Sequence, residues 1–378
     1  MSSHPKSQRV PSLPAKLVTI VESEIGELSR FIAAQSGREA GDVESHLRWF
    51  LLENPARETD IPLGCGLRST DGELVGCILC VPQRFRHQQQ VLTVMGSSSF
   101  YVDERYRGGG GLLFLKFSEF GRRWPLFGNS ANADAAGLWK ARGAKPIPFS
   151  DHELFGVLHW EPVIEESLHR KGVGAGFLSR LAARAGSAVA GITKGLKVDD
   201  EPGNLSPLYS ADEVIALLID ALPIHEPPTE LTAARDRDYI RWRYFSNRDK
   251  TVAVFAFRSP RFAGPTLVTV NQRLRGYRQQ IKTLNLLDVY PPVNPEMGAA
   301  IANALVVLYR AHHRDTVDAI VLRGLDQQHQ AVFLAKGFVR RQFEAPNGWL
   351  LDKTLLDKTK ILPTQNLYLV PADGDWLI

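Results

Sequence analysis

Residues 100–115 read Phe-Tyr-Val-Asp-Glu-Arg-Tyr-Arg-Gly-Gly-Gly-Gly-Leu-Leu-Phe-Leu. A β-rich run enters this segment and an amphipathic pattern leaves it. Glycines at a strand-to-helix turn let the backbone curl tightly and come close to a ligand. The first N–H groups of the helix that follows lack intrahelical partners, and the helix dipole favours an anion in front of them. Arg107 adds a fixed positive charge beside Gly108, Gly109, Gly110 and Gly111. The residue types and their spacing suit a diphosphate. Two other phosphate motifs do not fit. No Lys-Ser or Lys-Thr follows the glycines, as a P-loop requires. Antiparallel-type strands precede the run, whereas a dinucleotide fingerprint lies early in a parallel βαβ unit.

The segment Val102-Asp103-Glu104-Arg105-Tyr106-Arg107-Gly108-Gly109-Gly110-Gly111-Leu112 resembles the signature of the GNAT superfamily of N-acyltransferases, in which Arg-x-x-Gly-x-Gly/Ala opens a helix. With Arg107 as the arginine, Leu112 stands where Gly or Ala is usual. The register Arg105-x-x-Gly108-x-Gly110 satisfies the pattern in full. Tyr-Arg-Gly is the commoner local form, so Arg107 is the expected register. A second segment, Asn132-x-x-Ala135-x-x-Leu138-Trp139-x-x-x-Gly143, is similar to the family's Asn-x-x-Ala-x-x-Leu-Tyr-x-x-x-Gly. The resemblance covers about residues 16–151.

The resemblance implies direct transfer of an acyl group, acetyl being expected, from acyl-CoA to a primary amine of a small molecule or sugar intermediate. It implies acetyl-CoA or another acyl-CoA as cosubstrate and no metal. The residues it assigns to the cosubstrate are Val102, Arg107, Gly108, Gly109, Gly110, Gly111, Leu112, Asn132 and Trp139. Many family members place a tyrosine at position 139 to protonate the leaving thiolate. An indole N–H is too weak an acid for that. Tyr101, Ser99 and Asp103 lie on or near the strand entering the site, and by location they are the candidate acid and base groups. Two rival readings follow from the missing tyrosine and from the shape of the motif. One is a non-catalytic acyl-CoA-binding or protein-interaction module; the other is an acyltransferase that takes its acyl group from acyl carrier protein.

The elements that must position these residues alternate in type. Residues 17–21 read as a strand, 25–35 and 43–53 as helices. Two strands, 65–68 and 74–81, flank the turn Thr70-Asp71-Gly72, a hairpin signal. Residues 90–102 read as a longer strand. In the helix after the glycines, Leu113, Phe117, Phe120 and Trp124 share one face. A short strand at 126–129 and a helix at 134–142, stopped by Gly143, complete the region.

Residues from 229 onward repeat parts of this order. Asp326-x-x-His329-x-x-Val332-Phe333-x-x-x-Gly337 echoes the second segment. The glycine signature has no counterpart: Pro291-Pro292-Val293-Asn294-Pro295 stands in its place, and prolines remove N–H donors. Asp288, inside an apolar run, is a further candidate group. The weak internal repeat suggests two copies of one fold. The expected class is α/β (α+β), with two GNAT-like domains, each a mixed, mostly antiparallel sheet flanked by helices. The expected division is a loose tail at 1–15, a domain with the acyl-CoA site at 16–151, a connector with helices at 152–228, and a degenerate domain at 229–378.

Composition narrows the remaining classes. A net charge of +4 over 378 residues is too weak to argue for nucleic acid. The longest apolar stretches fall well short of the ~20 residues that span a bilayer. The three cysteines, Cys65, Cys77 and Cys80, suit a reducing cytosol better than a disulfide framework. Cys77-x-x-Cys80 lacks the partner pair of a zinc site. A cytoplasmic enzyme of bacterial biosynthesis, able to form a homodimer, is the expectation.

Overall fold

Two mixed sheets, each built from strands of both halves of the chain, carry the structure. The computed structural model describes residues 14–87, 90–170, 186, 196–197, 203–221, 231–246, 251–276, 279–312, 317–352 and 367–368. The first half supplies β1 (Ala15–Ile20), α1 (Ile25–Ser36), α2 (Ala40–Leu47), β2 (Gly64–Ser69), β3 (Leu74–His87), β4 (Gln90–Val102), α3 (Gly110–Glu119), β5 (Leu126–Gly128), α4 (Ala133–Ala141) and β6 (Lys145–Pro146). Then come β7 (His152–Val157), α5 (Trp160–Arg170), β8 (Asn204–Leu208), α6 (Ala211–Ala221), β9 (Leu231–Ala233) and α7 (Arg237–Ile240). The rest comprises β10 (Val252–Arg258), β11 (Thr266–Arg275), β12 (Ile281–Tyr290), α8 (Pro295–His312), β13 (Ala319–Arg323), α9 (Gln327–Ala335), β14 (Val339–Gln342), β15 (Trp349–Leu351) and β16 (Leu367–Tyr368).

The first sheet runs β1-β2-β3-β4-β5-β15-β6, with β9 on β3 and β16 on β9; the second runs β14-β7-β13-β12-β11-β10-β8. Pairing is antiparallel except at β4–β5, β12–β13 and β9–β16. The hairpin expected at Thr70-Asp71-Gly72 joins β2 and β3, with Gly72 at φ 85°. Gly143 and Gly337 end α4 and α9 at φ 80° and 94°, the left-handed conformation that glycine adopts without a Cβ clash.

The halves exchange their last strands. β7 lies between β13 and β14 of the second sheet, and β15 lies between β5 and β6 of the first. The strand order runs across the expected division. Residues 152–228 are not only a connector, since β7 and β8 are strands of the second sheet. Residues 229–378 do not form a self-contained unit, since β15 completes the first. The basic stretch 171–197 falls outside the described residues save for positions 186 and 196–197, as do residues 1–13 of the expected tail.

A second feature ties the halves together. After α2 and after α7 the chain makes a π-type turn, Arg48–Leu52 and Arg241–Phe245. Trp49 donates its indole N–H to the Trp242 carbonyl at 2.9 Å, and Trp242 donates to the Trp49 carbonyl at 2.8 Å. The rings stack at 5.3 Å. This reciprocal pair lies in one core built from both halves, with Leu28, Leu47 and Leu79 on one side and Val214, Ile240 and Leu267 on the other. Both indole donors are satisfied while their rings are buried, which is what buried tryptophan requires.

Candidate active site

β4 and β5 pair in parallel only at Met95–Leu126 and Gly96–Phe127. Beyond that point they part, because β4 continues to Val102 while β5 ends at Gly128. The gap is a cleft of about 250 Å³, walled by Ser97–Tyr101 on one side and Ser130, Asn132 and Ala135 on the other, with Phe114 and Trp139 at its floor. A bulge shapes the β4 wall. Cys77 pairs with Tyr101 and Leu79 with Ser98, so Ile78 faces both Ser99 and Phe100. Ser99 takes φ 48°, and the extra residue turns the strand and frees local backbone from the ladder.

The glycine segment lies just past this wall. Helical winding starts earlier than the sequence suggests. A 3₁₀ turn spans Glu104–Gly109, capped by the Asp103 carboxylate on the Arg105 N–H at 3.0 Å, and runs straight into α3. The Gly110 N–H donates to the Arg107 carbonyl, so one of the expected free donors is already used. The glycines differ in purpose. A Cβ on Gly109 would meet Leu67 Cδ1 at 2.8 Å, and Gly110 is buried against Val102 and Phe100. Gly111 has open space around it.

The arginines differ as well. Arg105 Nε is held by Asp103 at 3.0 Å. Arg107 is exposed and pairs with no carboxylate among the described residues. Of the two, Arg107 is the one whose guanidinium is not engaged by a carboxylate among the described residues.

The candidate acid–base groups separate. Tyr101 and Ser99 line the cleft. Asp103 does not. Its hydrogen bond to Arg105 holds the carboxyl below the usual range, so it is a helix cap and a poor base. Asn132 caps α4, accepting from the Ala135 N–H at 2.9 Å, and also borders the cleft. Trp139 is 2% exposed, clamped edge-on by Phe114 at 5.0 Å and Phe117 at 6.1 Å. Val102 stands beside Gly110, and Leu112 is exposed on the outer face of α3. Ser97, Ser98 and Ser130 also line the cleft. Their signal was the serine run 97–99 on a strand that the glycine motif had already marked.

The second half repeats this strand geometry with bulkier side chains at the matching positions. β12 and β13 pair in parallel at Thr283–Ala319, Leu284–Ile320 and Asn285–Val321. Leu284–Ile320 corresponds to Met95–Leu126, since all four face the helices of their own half. β12 bulges too, at Leu287. Counting on from the matched pairs, Leu286, Leu287 and Asp288 stand where the first half has Ser97, Ser98 and Ser99. Likewise Leu322 replaces Gly128, Leu325 replaces Ala131, His329 replaces Ala135 and Phe333 replaces Trp139. His329 Nε2 bonds the Val293 carbonyl at 3.0 Å. Asp288 is no free carboxylate. Arg235 grips it at 3.0 and 3.2 Å, and the Tyr244 hydroxyl donates to it, with all exposure removed from the ion pair. Burial, with Asp288 beside it, pushes the Tyr244 phenol up.

The three thiols are free and buried. Burial pushes Cys65 and Cys77 up to about 12, and raises Cys80 as well. Among the described residues no group of three or more His, Cys, Asp or Glu side chains is placed to hold a metal ion. No helix among them is long and apolar enough to cross a membrane.

No protein-family model matches the sequence, and a search of curated proteins finds no match. Solved structures do match in fold. A Saccharomyces cerevisiae N-myristoyltransferase with bound myristoyl-CoA is similar at TM-score 0.53 and 10% identity, over 92% of this chain and 87% of that one. A GCN5-related N-acetyltransferase from Anabaena variabilis aligns at TM-score 0.52 and 12% identity, over 89% and 72%. An Enterococcus faecalis protein of unknown function, described as a probable N-acyltransferase, aligns at 0.52 and 9%, over 89% and 72%. The fold is that of two joined GNAT-like halves.

Proposed function

We propose that the first half binds an acyl-CoA in the cleft between β4 and β5 and transfers its acyl group to a primary amine of a small molecule. The observation that carries this reading is the open cleft between β4 and β5, with the glycine segment following its β4 wall, set against the bulkier side chains at the matching positions of the second half. The diphosphate would meet Arg107 and the α3 N-terminus, where charge and dipole both favour an anion. The fold neighbours whose names carry acyl-CoA and acetyl transfer support the same donor class.

The chemistry needs three services. A neutral amine attacks the thioester carbon, forming C–N as C–S breaks, and its spare proton passes to water. The thioester oxygen gathers negative charge and needs an N–H donor; the β4 bulge at Ser99 and Phe100 supplies backbone for that. The thiolate takes a proton, and the Tyr101 phenol is the acid we assign. The serines of the wall are far weaker acids. The second half acts as a scaffold, and the buried thiols suit a reducing compartment.

The test is calorimetric titration with CoA, followed by thiol release from acetyl-CoA with a panel of amines. CoA binding, amine-dependent thiol release and a fall of about tenfold or more in rate for Tyr101→Phe are the expected results. One observation favours a second reading: Trp139 stands where the family resemblance puts an acidic tyrosine. If CoA binds and no amine releases thiol, the chain is a binding module on the same scaffold. Absence of CoA binding would end both readings.

A further inference from the structure

The closed end of the cleft is made by three residues that meet at one point. A Cβ built on Gly128 would lie 2.8 Å from Ser97 Oγ and 3.0 Å from Trp139 Cζ2. Gly128 is the last residue of β5, one step beyond its pairing with β4. This is the apex of the opening, and any side chain at 128 would require Ser97 or Trp139 to shift. Behind the apex the core is dense: Met95 and Leu126 are both 0% exposed. The Trp139 ring has no room to swing away. Phe114 meets its face-edge at 5.0 Å and Phe117 at 6.1 Å, both steeply inclined. Packed interiors of this kind resist insertion of extra methylenes, each forced fit costing stability.

The length of the wall sets how much of a donor fits before the apex. From Val102, beside the start of the helical turn, back to Ser97 the bulged wall matches four steps of its partner strand, Gly76 to Cys80, or ~14 Å at about 3.4 Å each. An extended pantetheine arm is at least that long. A CoA anchored by its diphosphate at Arg107 therefore delivers its sulfur near Ser97–Ser99, with only the apex left for the acyl group. The whole cleft, about 250 Å³, is smaller than the ~300–1,000 Å³ usual for ligand pockets.

We infer that Ser97, Gly128 and Trp139 form an acyl-length stop, which restricts the donor to short acyl thioesters such as acetyl or propionyl. The inference rests on the proposed acyl-CoA reading and adds the donor class to it. Trp139 thus acts as a specificity determinant, in the place where a catalytic acid was expected. The second half shows how such an apex is sealed altogether, since Leu322 stands at the position of Gly128 beside Phe333, and both belong to its core.

Binding of donors needs no knowledge of the acceptor, so the test is calorimetric competition on the full chain with CoA, acetyl-CoA, hexanoyl-CoA and myristoyl-CoA. Acetyl-CoA is expected to bind as well as CoA, with hexanoyl- and myristoyl-CoA weaker by about tenfold or more because their chains remain in water or force the apex apart. Trp139→Phe keeps an aromatic ring against Phe114 and Phe117, loses the indole edge that meets Gly128, and is the residue type found in the second half. It should bring hexanoyl-CoA to within about threefold of acetyl-CoA. Gly128→Ala should weaken acetyl-CoA more than CoA. Tighter binding of myristoyl- or hexanoyl-CoA than of acetyl-CoA to the unaltered chain would overturn the length stop and leave the acyl-CoA reading standing. An unchanged chain-length profile in both variants, each folded by circular dichroism, would overturn it too. Failure of every CoA species to bind would remove the acyl-CoA reading itself, and the length stop with it.

Discussion

Ser97-Ser98-Ser99 in the first half and Leu286-Leu287-Asp288 in the second occupy the same stretch of strand, each beside a bulge and just past a short parallel pairing. In the first half the small polar residues leave a cleft. In the second, two leucines and a buried carboxylate stand at those positions. The same substitution pattern runs along the facing wall, from Gly128, Ala131 and Ala135 to Leu322, Leu325 and His329. On the proposed function, one scaffold serves as a binding half and a supporting half, and the difference lies in side-chain volume and in where the polar groups find partners. Asp288 finds Arg235 and Tyr244 inside the protein; the serines line a space open to a ligand.

The sharpest way to break this comparison is to exchange the weight placed on positions 99 and 288. Asp288→Ala leaves the Arg235 guanidinium buried without its carboxylate, and stability should fall by ~3–5 kcal/mol. Ser99→Ala should cost within ~0.5 kcal/mol and act on donor binding or turnover instead. Urea denaturation of both variants, paired with calorimetry, reads the two quantities. A loss below ~1 kcal/mol for Asp288→Ala would show that the second bulge is not a structural anchor.

The strand exchange offers the next test. Glu153 of β7 is buried and is held by Arg323, Arg275 and Arg341 at 2.6–3.2 Å. Burial alone would raise its carboxyl, but the three arginines outweigh it and keep it below the usual range. A depressed folded pKa contributes stability that is complete above the unfolded value of ~4.3 and disappears as pH falls through the folded one. The unaltered chain should therefore lose stability more steeply than Glu153→Gln below about pH 4.3. At neutral pH Glu153→Gln should cost ~2 kcal/mol. Equal slopes in acid for the two proteins would remove Glu153 as the pin between β7 and the second sheet.

A third test separates the two arginines of the glycine segment. Arg107→Ala should weaken CoA about ten- to hundredfold, the loss shrinking in high salt. Arg105→Ala should change affinity by less than about threefold, because its guanidinium is spent on Asp103. Equal losses at both positions would mean that a general positive field, rather than Arg107, holds the donor.

These contrasts were unevenly legible in the sequence. The helix start near Arg107, the Asn132 cap and the Gly143 stop are local events, set by residues within one turn of each other, and the chain announces them. The strand exchange is not local. Nothing in His152–Val157 or Trp349–Leu351 says that each pairs with the other half, because strand pairing is decided by partners far away in sequence. The reciprocal Trp49–Trp242 contact did have a signal: Leu47-Arg48-Trp49 and Ile240-Arg241-Trp242 repeat an apolar-Arg-Trp pattern at the end of matching helices. The role of Trp139 was hidden for a different reason. Its identity suggested a missing acid, whereas its packing against Gly128 and Phe114, visible only in three dimensions, marks it as a wall.

Asn132 and Asp326 give the most delicate comparison, since they do the same structural task. Each caps the helix that follows the fifth strand of its half, with the side-chain oxygen accepting an N–H at 2.9 and 2.8 Å. Asn and Asp are nearly equal as N-caps. Asn132→Asp and Asp326→Asn should therefore each change unfolding free energy by less than ~0.5 kcal/mol. Their effects on ligand should diverge. Asn132 borders the open cleft, so a carboxylate there would face the anionic donor, and CoA affinity should drop by a few-fold, more at low salt than at high. Asp326 borders the place that His329 fills, and Asp326→Asn should leave CoA binding unchanged. The pair isolates charge at the cleft from the stability of the helix, because the cap is preserved in both variants. If Asp326→Asn altered CoA binding as much as Asn132→Asp, the division into a binding half and a supporting half would have to be given up.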